Sequence, residues 1–197
     1  MDGLERIMVG SISRRMFIGG LVAFAAAPAV AAGDHPSLVY MKSVAKDLLG
    51  AHRQGTVSGF LRAIQRHADV ADIGNYSLGQ YKGKLAGGQK TRYYRGVATF
   101  MARYFADQSR EYPVAKYEIG EATVDTNKEI LVASKVFLLS GQTYNVTWRL
   151  AWRGKGYKVV DAKMLGFSLV YLQRGIFQSY LSKRDGDVSA LVAALNR

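Results

Sequence analysis

The residues that could support catalysis in this chain are few, and the first to consider are its three histidines. His35, His52 and His67 form no close pair in the sequence, so they do not have the spacing of a metal site. His67 lies near Asp69 and Asp72, residue types from which a general base could be assembled. A lone histidine at the end of a predicted helix is more often a surface residue, and we expect that role for His67.

Other catalytic patterns are missing from the sequence. There is no cysteine, which excludes disulfides, thiolate metal sites and a cysteine nucleophile. The segment 83–90 resembles a phosphate-binding loop, but Gln89 stands where that motif needs lysine. Glu118 and Glu121 are three residues apart in a predicted strand, so their side chains face opposite ways. We therefore predict a binding protein that is not an enzyme, with no cofactor and no metal.

The composition favours one ordinary domain with a strong positive charge. The chain has 197 residues, of which 49% are hydrophobic, and this proportion is typical of a globular core. Its 27 Lys and Arg against 15 Asp and Glu give a formal charge of +12. Such a charge indicates an anionic partner or surface, and nucleic acid, membrane and acidic protein are all compatible with it.

The first thirty-two residues have the pattern of an export signal. A basic segment ending in Arg14 and Arg15 precedes an apolar stretch of about a dozen residues, and an Ala-x-Ala site ends at Ala31. The paired arginines indicate twin-arginine export, with a general secretory signal as the alternative. We expect residues 1–32 to be a signal peptide, cleaved near Ala31 or Ala32, and residues 33–197 to be one periplasmic domain. Its charge would be +11, since the signal holds three basic and two acidic residues, and export disfavours a nucleic-acid partner.

Periodicity in the mature part predicts helices, then strands, then helices. Helical spacing covers 37–49, 57–68 and 89–109, and a short segment, 70–78, leads to a basic loop at 79–84. Strands are predicted at 116–125, 129–139, 143–152 and 157–164, joined by short turns. Ser168 and Asp187 are predicted to cap two C-terminal helices.

The third predicted strand shows which side of the sheet is buried. Tyr144, Val146, Trp148, Leu150 and Trp152 alternate with a polar set, so one face is apolar and the other is solvated. We predict an α+β fold: a curved antiparallel sheet of about four strands, with N- and C-terminal helices packed on its concave face. The 22 aromatic residues could fill a closed core or line a cavity, and the pattern alone allows both.

One stretch of the chain resembles a known family. Residues 157–170 are similar to the signature aromatic-x-Val-x-Asp-x-x-x-x-Gly-x-Ser-Leu of the MlaC (toluene-tolerance) family of periplasmic phospholipid-binding proteins. The similarity continues through Arg174, Phe177 and residues 186–191, and weaker matches lie upstream at 78–81 and 89–93. The HpnM proteins associated with hopanoid biosynthesis are a sister branch with the same signature.

The resemblance implies a monomeric carrier without a cofactor that holds phospholipid acyl chains in an apolar pocket between sheet and helices. It would pass lipid between an outer-membrane lipoprotein complex and an inner-membrane ABC transporter with its periplasmic ring protein. The alternatives are a hopanoid-associated accessory protein, acting by hopanoid binding or protein–protein contact, and an enzyme on a related fold. A buried His–Asp pair at a pocket mouth would favour the enzyme.

On this basis we expect ten residues to line the lipid pocket and three basic residues to contact the headgroup or a partner. The predicted lining is Tyr81, Tyr94, Phe100, Tyr104, Val132, Val136, Val146, Trp148, Met164 and Leu169. The predicted headgroup or partner contacts are Lys82, Lys84 and Arg174.

Overall fold

The computed structural model describes residues 35–124 and 129–197. The predicted signal peptide and its cleavage site lie outside the described residues, as does the turn at 125–128. The division of the chain into 1–32 and 33–197 therefore stays a prediction.

The helices precede and follow a continuous run of strands, as the sequence predicts. Their bounds are α1 Pro36–Gln54, α2 Val57–His67, α3 Val70–Leu78, α4 Lys90–Glu111, α5 Leu169–Ser182 and α6 Val188–Leu195. The side chains of Ser168 and Asp187 accept hydrogen bonds from the backbone at the starts of α5 and α6, which confirms the two predicted caps. None of the described helices is long and apolar enough to cross a membrane.

The region between α2 and α4 is more ordered than the sequence suggests. The short segment 70–78 is a helix, α3, because the Asp69 side chain caps its first turn and Ile73 and Leu78 are buried. The predicted basic loop at 79–84 is a 3₁₀ turn, Gly79–Lys84, and a second short turn covers Gly87–Gln89.

The strands form one open antiparallel sheet in which each strand pairs with its neighbours in the sequence. They are β1 Val114–Val124, β2 Ile130–Leu138, β3 Thr143–Trp152, β4 Tyr157–Met164 and β5 Phe167–Ser168, in that order across the sheet. The α+β prediction is confirmed, with one more strand than predicted. β5 was missed because two residues are too few to show an alternating pattern.

The predicted alternation of β3 holds for most of its length. Val146 and Leu150 are buried and Trp148 is half-buried, whereas Trp152 at the end of the strand is 57% exposed. The pairing with β4 shifts by one residue at this end, because Arg149 pairs with Asp161 and Leu150 pairs with Val159. Such a bulge bends a strand and increases its local twist.

Within the described residues, the buried apolar side chains fall into four clusters rather than one continuous core. One joins α4, α5 and α6, a second joins α1 to the sheet, and a third joins α1, α2 and α4. The fourth lies at one end of the sheet and includes Val136, Leu138, Val146 and Ala162. Partly buried side chains such as Leu48, Met101 and Trp148 are shared between clusters.

Candidate functional site

An apolar cavity of about 320 Å³ lies between the helices and the sheet. Val44 and Leu48 of α1, Ile64 of α2 and Phe100 of α4 form part of its wall. The sheet contributes Trp148, Val159 and Ala162, and α5 contributes Leu169, Val170, Leu172 and Ile176. The sequence places these side chains together because α1, α2 and α4 each present an apolar stripe at helical spacing.

A second apolar cavity, of about 290 Å³, adjoins the first. It extends toward the first residues of β1 and the turn after β4, where Tyr117, Val136, Val146 and Met164 line it. Six residues contribute to the walls of both cavities: Leu48, Tyr104, Phe105, Trp148, Ala162 and Leu169. The two therefore form neighbouring lobes of one apolar space.

The opening of this space can be located from lining residues that are also exposed to solvent. On one side these are Tyr104 and Tyr112, at the end of α4. On the other side are Met164 and Leu165 at the end of β4 and Leu172 and Ile176 on α5. A side chain that both lines a cavity and is exposed must stand at its mouth. The mouth is therefore a slot between α4 and the segment from β4 to α5, with an apolar rim.

Two buried polar side chains of the first cavity, Asp161 and Gln173, are hydrogen-bonded to the protein itself. Oδ1 of Asp161 accepts hydrogen bonds from the backbone N–H groups of Ala162, at 2.8 Å, and Val170, at 3.2 Å. Nε2 of Gln173 donates to Oγ of Ser77 at 2.8 Å. These bonds satisfy groups that would otherwise be costly to bury, and they leave the interior suited to apolar ligands.

His67 differs from its expected place on the surface, and the prediction of an exposed residue is wrong. It is only 7% exposed and contributes to the wall of the first cavity. Its Nε2 lies 2.8 Å from Oδ2 of Asp47, and this hydrogen bond holds the pKa of that carboxyl below its usual range. The nearby Asp69 and Asp72 are bound instead by Arg153. The sequence could not show the pair, because Asp47 and His67 are twenty residues apart on two helices.

A buried His–Asp pair by a cavity would favour an enzyme, but in this pair only His67 is buried and the Asp47 side chain is 29% exposed. Nδ1 of His67 is buried and has no hydrogen-bond partner among the described residues. In particular, no Ser or Thr hydroxyl of that part of the chain bonds to it, as a nucleophile activated by this histidine would. What the pair does here is join α2 to α1. The Tyr40 hydroxyl adds to the same junction by donating to the carbonyl oxygen of His67 at 3.0 Å.

Two titratable groups of the second cavity are shifted toward their neutral forms by burial. Burial lowers the pKa of His52, whose Nε2 accepts a hydrogen bond from the backbone N–H of Val114 at 2.7 Å. Burial also raises the pKa of Tyr117 to about 12. These two side chains therefore add no charge to the second cavity at neutral pH.

The structure brings seven of the ten predicted lining residues to the two cavities. They are Phe100, Tyr104, Val136, Val146, Trp148, Met164 and Leu169. Tyr81, Tyr94 and Val132 lie elsewhere: the two tyrosines pack against the cluster of α4, α5 and α6, and Val132 is fully buried beneath α1. Val132 follows the same alternation as Val136, but the helix above it leaves no space. A lipid contact for all ten remains a prediction.

Other lining residues were not anticipated from the sequence. Leu172 and Ile176 of α5 have the spacing of one helix face, and the structure places them on the rim of the cavity. The buried face of α5 instead carries Val170, Phe177 and Leu181. The sequence of α5 carries two apolar stripes. Two stripes on one helix indicate that it lies between a core and an apolar opening.

The three predicted basic contacts do not line either cavity. Nζ of Lys84 donates to the carbonyl oxygen of Asp185 at 3.2 Å, and Lys82 is exposed in the same 3₁₀ turn. The guanidinium of Arg174 lies 4.8 Å from the centre of the Tyr76 ring, a cation–π contact. Their roles toward a headgroup or partner stay predictions. Across the two described segments, no cluster of three or more His, Asp or Glu side chains could hold a metal ion.

The fold and the site define a class of α+β protein with an open antiparallel sheet, helices on one face and a two-lobed apolar cavity between them. The chain matches the family model described as MlaC protein over residues 41–197, and it belongs to that family.

A solved structure supports the fold independently. The chain is similar to the phospholipid-binding protein from Ralstonia solanacearum, solved in complex with a phospholipid. The two share 20% sequence identity with a TM-score of 0.65, over 83% of this chain and 95% of the other. At this identity the likeness establishes the common fold. No curated protein matches the chain.

Proposed function

We propose that this protein is a periplasmic carrier that binds phospholipid by its acyl chains and has no enzymatic activity. The observation that carries the proposal is the pair of adjoining apolar lobes, of about 320 and 290 Å³, which open through one apolar rim. The first volume lies at the lower end of the range of ligand pockets, about 300–1,000 Å³, and the second is just below it. Membership of the MlaC family and the phospholipid in the Ralstonia protein support the choice of ligand.

The cost of moving lipid through water explains why such a site needs no chemistry. Each CH₂ group is worth about 0.8 kcal/mol, so exposing a sixteen-carbon chain costs on the order of 12 kcal/mol. A carrier must replace the apolar surroundings that the membrane provides, and the walls around Phe100, Phe105 and Trp148 offer such surroundings. The buried side chains of Asp161 and Gln173 are already hydrogen-bonded within the protein through Oδ1 and Nε2.

The proposed route follows from the family resemblance. The carrier would receive or deliver phospholipid at an outer-membrane lipoprotein complex and at an inner-membrane ABC transporter with its periplasmic ring protein. It would act as a monomer, since one mouth must be presented to each membrane in turn. The predicted signal at 1–32 supports the periplasmic location, and the high positive charge of the mature chain favours acidic or anionic docking surfaces.

The proposal is tested by identifying what the protein carries when it is made in a cell. The protein is expressed with its own signal in a Gram-negative host and purified from the periplasm without detergent, and co-purifying lipids are measured by native mass spectrometry. We expect one phospholipid per chain. A polycyclic lipid such as a hopanoid would replace phospholipid as the ligand and favour the HpnM-like alternative. An empty protein that also fails to take up phospholipid from vesicles would overturn the carrier function.

A further inference from the structure

The segment that follows β4 exposes apolar side chains where a folded protein normally has polar ones. Leu165 is 64% exposed, and Phe167 and Tyr171 are each 65% exposed. Together with Leu172 and Ile176 they form what we call the apolar lip, on one side of the cavity mouth. Contiguous exposed apolar surface of this kind usually marks a site of contact with another surface.

The backbone at the tip of the lip is also unfavourable for the residue it carries. Leu165 and Gly166 form the two-residue turn between β4 and β5, and both have positive φ angles, of 53° and 84°. Turns of this kind favour Asn-Gly, and a leucine with positive φ costs about 1 kcal/mol. Neither local conformation nor burial favours leucine here. Leu165 lines the mouth of the second cavity, and its exposed part is available to an apolar surface outside the chain.

Two segments of the chain, one of which contains the lip, carry basic side chains and no acidic one. Between Asp72 and Asp107 there is no Asp or Glu, but there are six basic residues, namely Lys82, Lys84, Lys90, Arg92, Arg95 and Arg103. Between Asp161 and Asp185 there is again no acidic residue, and there are four more basic residues: Lys163, Arg174, Lys183 and Arg184.

These two segments pack against each other in the structure. Gln173 on α5 donates to Ser77 on α3, and Arg174 stacks on Tyr76. Lys163 directly precedes the lip, on the outer face of β4. The first acidic residue reached along α4 is Asp107, which pairs with Arg110 at 3.7 Å. The segment that contains the lip is therefore basic, with Lys163 beside the lip and Arg174 on the stretch of α5 that carries Leu172 and Ile176.

We propose that the apolar lip docks directly on an anionic lipid bilayer, with Leu165, Phe167 and Tyr171 inserted at the level of the headgroups. Apolar side chains at the point of contact and basic residues around them are the combination that binds proteins to the surface of anionic membranes. The position of the lip at the cavity mouth would let an acyl chain pass between bilayer and cavity without crossing water. The role in lipid exchange rests on the proposed carrier function, whereas membrane docking can be measured without it.

The test measures binding of the full mature protein to vesicles of phosphatidylcholine, with and without phosphatidylglycerol, by co-sedimentation. The double variant Phe167→Ser, Tyr171→Ser removes lip side chains that line neither cavity. Its control is Trp152→Ser, an exposed aromatic residue at the end of β3. It pairs with the first residue of β4 and so lies about 20 Å from the lip at ~3.3 Å per residue. We expect the double variant to bind anionic vesicles at least tenfold more weakly than wild type, and Trp152→Ser to bind like wild type.

The charge is tested by a second matched pair on β4 and its flanking turn. Lys163→Glu lies beside the lip, and Lys155→Glu lies in the exposed turn at the other end of the strand. We expect Lys163→Glu to weaken binding to anionic vesicles about fivefold or more and Lys155→Glu to have a smaller effect. Binding of wild type should weaken as salt is raised and on vesicles that lack phosphatidylglycerol.

Two results would overturn the docking proposal. One is equal binding by the lip variants and their controls. The other is a wild-type protein that does not bind vesicles but whose lip variants lose affinity for a transporter or lipoprotein complex. In that case the lip would recognise protein. Native mass spectrometry of the same samples separates the two proposals. Lipid in the cavity without vesicle binding refutes docking alone, whereas vesicle binding by a protein that never holds lipid refutes the carrier function alone.

Discussion

Nε2 of His67 lies 2.8 Å from Oδ2 of Asp47, and the same carboxylate oxygen accepts a hydrogen bond from Arg66 at 2.8 Å. One acidic side chain on α1 thus binds the last two residues of α2. Because α1 and α2 form adjoining parts of the wall of the first cavity, this contact helps to keep the wall in place.

The Asp47 contact should make part of the stability depend on pH. The pKa of Asp47 is lower in the folded protein than its ordinary value of 3.8, so its contribution is present above about pH 4 and is lost as the pH falls through the folded pKa. We expect Asp47→Asn to destabilise the protein by about 1 kcal/mol at pH 7 and by less at pH 3, measured by urea unfolding. An equal loss at both pH values would contradict this reading of the contact.

His52 should add a pH dependence in a higher range. Its pKa is lowered from 6.5, so the folded state prefers the neutral ring, and stability falls as the pH drops below about 6.5. We expect His52→Leu to be less stable at pH 7 by about 1 kcal/mol, because the N–H of Val114 loses its acceptor. The variant should also lose less stability than wild type between pH 7 and pH 5. A steeper loss in the variant over that interval would refute the assignment.

The alternation of β3 offers a test of the cavity itself. Val146 lines the second cavity, whereas Thr147 points to the other face of the sheet, beside the exposed Ala133 and Lys163. We expect Val146→Arg to abolish lipid retention in a protein that still folds, since it places a charge in an apolar space. Thr147→Arg should retain lipid like wild type. The measurement is lipid per chain by native mass spectrometry with circular dichroism as the control, and equal lipid content in the two variants would contradict the cavity assignment.

Two glycines in helices should respond to alanine with opposite signs. A Cβ atom at Gly96 on α4 would lie 2.7 Å from Cβ of Leu195 on α6, so Gly96→Ala forces the two helices apart. At Gly175 on α5 there is no atom within 4 Å of such a Cβ, and alanine has the higher helix propensity. In thermal unfolding we expect Gly96→Ala to lose about 1–3 kcal/mol and Gly175→Ala to gain about 0.5–1 kcal/mol. A stabilised Gly96→Ala would show that α6 does not pack as described.

Sequence patterns predicted the order of the elements and the family because both depend on local signals. The caps at Ser168 and Asp187 and the alternation of β3 are visible in a few neighbouring residues. The His67–Asp47 pair and the extent of the cavity depend on how separate elements pack together, which spacing along the chain does not encode. For that reason Val132 and Val136 carry the same pattern, yet only Val136 reaches a cavity.

Two lobes of about 320 and 290 Å³ between four clusters of buried residues also have a mechanical consequence. Protein interiors are normally packed as densely as organic crystals, and pressure acts against a folded state in relation to the void volume that unfolding removes. Without a ligand, this molecule should be soft: compressible in ultrasound velocimetry and unfolded by modest hydrostatic pressure. Filling the lobes with hydrocarbon would lower this compressibility, so the protein and its bound ligand would resist pressure together.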